Sequence, residues 1–432
     1  MNYPDSVQFL YALGNEIKTA KFGLERISAV LEALGRPQDR LRIVHVAGTN
    51  GKGSACAMIE AALRAAGART GLFTSPHLAE PTERIRISGE PVSAERFAAA
   101  FDHVHKTVEE LLSKGALDYH TTYFETVTAM AFLIFAEERV NWTVLEVGLG
   151  GRLDATNVVT PELSVITPID FDHEQYLGRS IEAIAGEKAG IIKRGVPVVF
   201  SRQREEAGRV LRERAAELQA PMIESSSWLI EKLELAREGS RFQLAEPRTR
   251  ERLNIECPLA GEHQVENAVT AVTALHALGI PGDRVEAGIA STRWPGRLER
   301  VSGNPEFVLD GAHNPAGARS LAAYIDRFYA GERVRLIYGA MRDKALAEIA
   351  GILFPRAAEV IVTAPHQARA VHPETLLGLA EHSNIRVAPH LEDALAIVRS
   401  EPGGPVFVTG SLFLVAEARA LLLSPANIGA KR

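Results

Sequence analysis

Residues 46–54 read Val46-Ala47-Gly48-Thr49-Asn50-Gly51-Lys52-Gly53-Ser54. An apolar run from Leu41 to Val46 leads in as a buried strand, and Ala55 to Leu63 leads out as a helix. A strand and a helix joined by a glycine-rich turn commit this part of the chain to a βα unit. Such a turn lets backbone N–H groups and a helix N-terminus surround a phosphate chain. Lys52 adds a mobile positive charge, and Ser54 a hydroxyl suited to magnesium. The spacing differs from the usual P-loop because Gly53 separates the lysine from the serine. Glycine turns also join strands to helices where no ligand binds; the lysine and serine are what favour phosphate.

The same alternation continues along the chain. Apolar strands are expected at Thr143–Val147, Leu163–Thr167 and Val196–Phe200, with helices over Phe97–Leu112, Thr126–Glu138 and Ile181–Ile192. The pattern predicts an α/β fold with a mainly parallel sheet covered by helices on both faces. Short charged and alternating runs between Trp228 and Pro258 predict an antiparallel appendage, after which a helix resumes over Gln264–Leu278. Trp294-Pro295-Gly296-Arg297 breaks the pattern and reads as a linker. Strands at Phe307–Leu309, Val334–Tyr338, Glu359–Val362 and Val406–Thr409, with helices between, predict a smaller Rossmann-like domain at the C-terminal end. The expected division is 1–293, a linker at 294–299, and 300–432.

Composition removes several function classes. A net charge of −6, without Lys/Arg clusters or interleaved aromatics, argues against a nucleic-acid binder. No apolar run reaches the ~20 residues of a membrane span, and the start of the chain carries no secretory pattern. Cys56 and Cys257 sit in apolar segments without metal-ligand spacing, which fits a reducing cytoplasm and packing as small hydrophobes.

Several strand ends carry polar groups. Glu146 closes an apolar strand, where ligands of open α/β sheets sit, and is positioned to hold a metal ion beside the P-loop; a solvated strand terminus is the plainer alternative. Asp172-His173 follows the next strand in the same way, and a lone histidine is more often a satisfied surface or core residue. Ser75, before Pro76-His77, is on its own a turn serine.

Together these segments resemble the folylpolyglutamate synthase and dihydrofolate synthase family of the Mur ligase superfamily. The resemblance runs through Gly48–Ser54, Thr74–Leu78, Glu83–Ile85, Thr122–Glu125, Leu145–Asn157, Asp172-His173 with Leu177-Gly178, and Glu187–Gly190. It continues through Pro295–Arg297 and Asp310–Pro315. Two positions depart from it: Ala345 follows Asp343-Lys344 where an aspartate is common, and Leu412-Phe413 replaces an aromatic pair after Gly410-Ser411.

The resemblance implies an ATP-dependent ligase that activates a folate-type carboxylate as an acyl phosphate and joins it to L-glutamate. Gly48, Thr49, Asn50, Gly51, Lys52, Gly53 and Ser54, with Asn267, Arg297 and Asp310, would bind ATP. Ser54, Ser75, Glu146 and His173 would hold magnesium, two ions in all, with no redox cofactor. Lys188 resembles a lysine that this family carbamylates; a helix-surface lysine paired with Glu187 or Glu182 is the alternative. Lys52, Lys188 and His313 are the implied catalytic groups. Gly23, Leu24, Arg84, Thr122, Tyr123, Phe124, Glu125, Leu153, Asp154, Ala155 and Ser411 are the implied folate-binding residues. Arg84 reads equally as a surface arginine beside Glu83, and Phe124 as a core aromatic opening a helix. The implied partners are dihydropteroate or a reduced folate, L-glutamate and ATP, acting on a cytoplasmic monomer.

Three other readings remain open from sequence. A cell-wall Mur ligase shares the P-loop but carries a further domain ahead of it, whereas 47 residues precede Gly48 here. A P-loop kinase or NTPase would need no amine acceptor. A nucleotide-binding regulatory module would bind without turnover.

Overall fold

The computed structural model describes residues 1–14, 23–379, 381–401 and 403–424. Its first sheet is built from β1 (Ile43–Ala47), β2 (Thr70–Phe73), β3 (Ile85–Ile87), β4 (Glu90–Pro91), β5 (Trp142–Glu146), β6 (Leu163–Ile166), β7 (Val198–Phe200) and β8 (Met222–Glu224). The order is β4-β3-β2-β5-β1-β6-β7-β8; β2 through β8 run parallel across the sheet, and β3 and β4 form an antiparallel edge. All five residues of β1 are buried, which is why it reads as an apolar run interrupted only by His45.

Alternate β1 residues serve different cores. Val44 and Val46 pack with Cys56 and Ile59 of helix Lys52–Ala65 and with Val265 and Val272 of helix Glu262–Ala277. Ile43 faces Phe97, Phe101, Met130 and Phe132 of helices Ala94–Ser113 and Tyr123–Glu137. The antiparallel appendage, β9 (Leu229–Leu235), β10 (Ser240–Glu246) and β11 (Glu251–Cys257), adds Phe242, Leu244 and Ile255 to the first of these cores. Both cysteines are buried and unbridged.

A second sheet gathers β12 (Glu299–Val301), β13 (Phe307–Leu309), β14 (Arg335–Tyr338), β15 (Glu359–Val362), β16 (Ile385–Val387) and β17 (Val406–Thr409). Its order is β12-β13-β17-β14-β15-β16, parallel except for edge strand β12. Several expected boundaries shift, most by one to three residues, and two of them have a local cause. Strand β7 starts only at Val198, after Pro197. The helix expected over 181–192 stops at Ala189, where the chain passes close to Arg152: a Cβ at Gly190 would lie 2.4 Å from Arg152 Cα. Among the described residues, no helix is long and apolar enough to cross a membrane.

Candidate active site

The carboxyl ends of both sheets open into one cleft, where two adjoining cavities lie. The larger, about 370 Å³, is lined by the whole turn from Gly48 to Ser54 together with Ser75, Glu146, His173, Lys188, Asn267, Arg297, Asp310 and His313. The other, about 220 Å³, is lined by Gly23, Thr122, Phe124, Glu125, Leu153, Asp154, Ala155 and Ser411. Ser75, Gly148, His173 and His313 border both.

The P-loop is held by neighbours that leave its glycines no alternative. Gly51 has φ +85°, and a Cβ there would sit 2.1 Å from Asn267 Oδ1. Gly53, the residue that makes the spacing unusual, abuts the indole of Trp294, 2.9 Å from where a Cβ would stand. The extra glycine therefore makes room for the segment that leads to the second sheet. One expectation narrows: the N–H groups of Thr49 and Asn50 are already bound to the Pro168 carbonyl, at 3.0 and 3.2 Å. The first-turn N–H groups of helix Lys52–Ala65 remain for an anion. Lys52 Nζ donates to Thr49 O at 3.2 Å.

Glu146 is at a strand end but not in solvent, being only 4% exposed. Burial raises its pKa, Lys52 opposes that rise, and the Ser75 N–H donates to Oε2 at 3.0 Å. Lys188 is likewise 4% exposed, and Glu187 pairs with Arg152 instead, so the surface-lysine alternative falls. Burial first, then Lys52, pushes its ammonium down to about 7. His173 stands at φ +52° before a short helical turn; burial pushes it down to about 4, leaving a neutral imidazole with a lone pair.

The sequence reading passed over the role of Asp172. This carboxylate accepts Lys344 Nζ at 2.7 Å and the His173 N–H at 2.9 Å on Oδ1, and Asn314 Nδ2 at 3.2 Å on Oδ2, with His313 Nε2 3.5 Å away. Burial alone would raise its pKa, but His313 and Lys344 hold it well below the usual carboxylate range. Asn314 also reaches Asn50 Oδ1 at 3.0 Å while capping helix Pro315–Phe328. Asp172 thus ties the first sheet to three residues of the second. The only sequence signals were Asn-Pro at a helix start and Asp343-Lys344 in a loop.

In the second domain Asp310 accepts the N–H groups of Leu298 and Ala312, both at 3.0 Å, and burial raises its pKa against the pull of Arg297. His313 Nδ1 lies 2.7 Å from Gly311 O; a carbonyl can only accept, so Nδ1 carries a proton.

Around the smaller cavity, Thr122 and Glu125 form a capping box that starts helix Tyr123–Glu137, and Glu125 pairs with Arg26 at 3.0 Å. Phe124 faces the cavity because Gly148 gives its ring room: a Cβ at Gly148 would lie 2.5 Å from Phe124 Cζ. Asp154 binds the Leu149 N–H at 2.8 Å and the Thr156 hydroxyl at 2.5 Å, and Thr156 in turn meets buried His45 at 2.9 Å. Three expected residues do not line either cavity. Arg84 is buried, neither a surface arginine nor a cavity residue; its Nε donates to His77 Nδ1 at 2.8 Å and its guanidinium stands 5.1 Å from the Tyr123 ring. Tyr123 and Leu24 pack into the core behind.

Residues 91–275 match the family described as Mur ligase middle domain, and residues 296–412 match the Mur ligase, glutamate ligase domain. A dihydrofolate synthase/folylpolyglutamate synthase of Bacillus subtilis is 37% identical over 93% of this chain and 95% of its own length. A folylpolyglutamate synthase of Lacticaseibacillus casei is 35% identical over 98% of this chain and 99% of its own. Among solved structures, Mycobacterium tuberculosis folylpolyglutamate synthase complexed with ADP and AMPPCP superposes with a TM-score of 0.90 at 34% identity, covering 98% of this chain and 99% of that one. E. coli FolC in complex with DHPP and ADP gives 0.87 at 30% identity, covering 98% of each.

Proposed function

This chain belongs to the Mur ligase family of folylpolyglutamate and dihydrofolate synthases, and from that premise we infer an ATP-dependent ligase that adds L-glutamate to dihydropteroate and to the glutamate tail of reduced folates. The observation that carries the reading is the continuity of the two cavities through Ser75, Gly148, His173 and His313. A carboxylate in the smaller one can then meet the end of a triphosphate bound in the larger.

A carboxylate is a poor electrophile because it is already an anion. Its oxygen attacks the γ-phosphorus, the bond to the β-phosphate oxygen breaks, and ADP leaves an acyl phosphate behind. The glutamate amine then attacks the acyl carbon, phosphate departs, and the nitrogen loses a proton. Lys52 and the helix N-terminus bear the phosphate charge through the first step. Phe124 offers its ring face to a flat pterin. Asn267, Arg297 and Asp310 take the nucleotide, so ATP spans 1–293, the linker 294–299 and 300–432.

Glu146, Ser54, Ser75 and His173 fit a magnesium site: hard oxygen donors and a neutral imidazole line one cavity, and the Glu146 carboxylate is buried with a single N–H donor among the described residues. The ion would neutralise γ-phosphoryl charge there. Lys188 suits carbamylation: its amine is about half neutral near pH 7 and so can add CO₂ and release a proton, giving an anionic oxygen where a cation would face Lys52. The same reading has the enzyme working as a monomer in the cytoplasm.

The test is phosphate release from ATP with L-glutamate and either dihydropteroate or tetrahydrofolate. Turnover dependent on both the amine and a pteroate-type acid is expected. Release indifferent to glutamate would point to a P-loop NTPase, and turnover with neither acid would remove the reading.

A further inference from the structure

Outside the interdomain cleft, a second cluster of ligating atoms lies on the first domain. His105 and Glu109 stand one turn apart on helix Ala94–Ser113, and His120 faces them from the loop that follows. His105 Nδ1 is 3.4 Å from His120 Nε2, and Glu109 Oε1 is 4.0 and 3.9 Å from those two atoms. Among the described residues this is the single group of three His, Cys, Asp or Glu residues whose ligand atoms lie within 4.8 Å of one another.

The spacing matches a small tetrahedral ion. Bonds of ~2.0–2.1 Å at the tetrahedral angle put ligand atoms about 3.3 Å apart. The two imidazoles already meet that distance, and Glu109, 56% exposed, is free to swing inward by the remaining ~0.6 Å. The orientation is also set. His120 Nδ1 lies 3.0 Å from the Thr121 carbonyl, which can only accept, so Nδ1 holds the proton and Nε2 turns its lone pair to the centre. A backbone carbonyl fixing the far nitrogen of an imidazole is the usual outer shell of a metal-bound histidine. Without an ion, His105 Nδ1 must carry the proton of the 3.4 Å contact; with one, that proton moves to Nε2. Phe9 covers both imidazoles, with ring centroids 4.6 Å and 5.6 Å away, and Phe101 stacks on His105 at 5.5 Å. Two nitrogens and one carboxylate favour a borderline ion over magnesium.

We propose that His105, Glu109 and His120 bind a zinc-class divalent cation, with water completing the shell, and that the ion clasps helix Ala94–Ser113 to the segment entering Thr122. That segment leads directly into Thr122, which lines the smaller cavity, so the ion stiffens the approach to a substrate-facing edge without touching the reacting atoms. The proposal does not depend on the ligase reading.

The test uses tag-free full-length protein, stripped with a chelator and kept in excess magnesium and ADP. Zinc is titrated against a chromophoric chelator, and bound zinc is counted by elemental analysis after desalting. About one equivalent should be retained, and zinc should raise the Tm. His105→Gln and His120→Gln should each weaken binding by more than the ~10–100-fold that loss of an outer-shell partner costs, and abolish the Tm shift. Their circular dichroism without zinc should match that of the parent. Glu146→Ala should retain zinc as the parent does. No retention by the parent, equal retention by the histidine variants, or loss in Glu146→Ala overturns the proposal.

Discussion

The two parallel sheets open into the same cleft, yet they bring to it groups in opposite states. On the first sheet's side, Glu146 is buried and Lys52 half-buried at the cavity, with little to satisfy them: among the described residues, Lys52 donates to one carbonyl and Glu146 accepts one N–H. On the second sheet's side, Asp310 is capped by two N–H groups, Asn314 is bound to Asn50 and Asp172, and Lys344 is locked on Asp172. Buried charge left under-bonded is costly unless a ligand completes it. Full pairing across a seam stabilises one relative placement of two bodies. We propose that the first sheet carries most of the groups that act on substrate, while on the second side, beside the nucleotide contact Asp310, Asn314 and Lys344 favour the closed cleft.

The sharpest way to break this division is Lys52→Met. If the first side does the chemistry, kcat should fall by roughly 10²–10³-fold or more, the scale of losing a preorganised charge at a transition state. Circular dichroism and Tm should stay near the parent values. A variant that keeps kcat and loses only ATP affinity would turn Lys52 into a binding group.

Lys188 comes next, and its pH dependence gives the sign. With its pKa held at about 7, roughly nine-tenths of the amine is neutral at pH 8, against about 0.3% for an ordinary lysine. Only the neutral amine adds CO₂, so carbamate occupancy should rise as pH climbs through about 7 and fall below it. Activity of bicarbonate-depleted enzyme should recover on adding bicarbonate at pH 8 and barely respond at pH 6. Lys188→Ala should lose about 10²-fold in kcat, partly restored by a short carboxylate in the buffer. NMR of the protein in ¹³C-labelled bicarbonate at pH 8 that shows no carbamate carbon would end the carbamate claim.

How much of this arrangement is legible in the sequence follows the same division. The first side is readable because its groups sit at fixed places: Lys52 and Ser54 begin a helix, Glu146 ends a strand, and His173 follows one. Backbone geometry alone carries them to the carboxyl edge of the sheet. On the second side Asp310, His313 and Ser411 are legible by resemblance, but the seam is not, because pairing across it depends on how two bodies meet. Lys344 and Asp172 are 172 residues apart, and nothing local to either marks it as a partner. Arg84 fails for a related reason. Its position beside Glu83 suggests a surface, but the turn Pro81–Arg84 folds inward and delivers it to His77. The burial of Lys188 is hidden too, since a lysine on a short helix usually reaches solvent.

Lys344→Met tests the second side. In the closed form the variant leaves Asp172 buried without its cation, and breaking such a pair costs about 3–5 kcal/mol. Opening the cleft lets water reach the carboxylate, so the penalty should fall on closure rather than on unfolding. The Asn314 amide and the His173 N–H still serve the carboxylate, which cuts the expected shift to ~2 kcal/mol, about 30-fold in the closed population. Apparent affinity for substrates should drop by that order, Tm should change little, and scattering should report a more open particle at saturating ATP and folate. A Tm loss with an unchanged radius would make the seam a folding contact instead.

The smallest effect separates a seam contact that matters from one that merely bridges. Arg319 pairs with Asp170 at 3.2 Å, a few residues from Asp172 and across the same two bodies. By geometry alone it resembles Lys344, but its side chain is 51% exposed and it shares its charge with Glu348. Water screens it in the closed form and solvates it in the open one, so little is gained by closing. Pairs of this kind contribute about 0–1 kcal/mol. Arg319→Ala should therefore change apparent substrate affinity by less than about 5-fold. Raising the salt concentration should erase even that difference, while leaving the Lys344→Met defect in place, because buried pairs are screened far less. If Arg319→Ala matched Lys344→Met, closure would be driven by net charge between the two bodies, and burial of Asp172 would lose its special part.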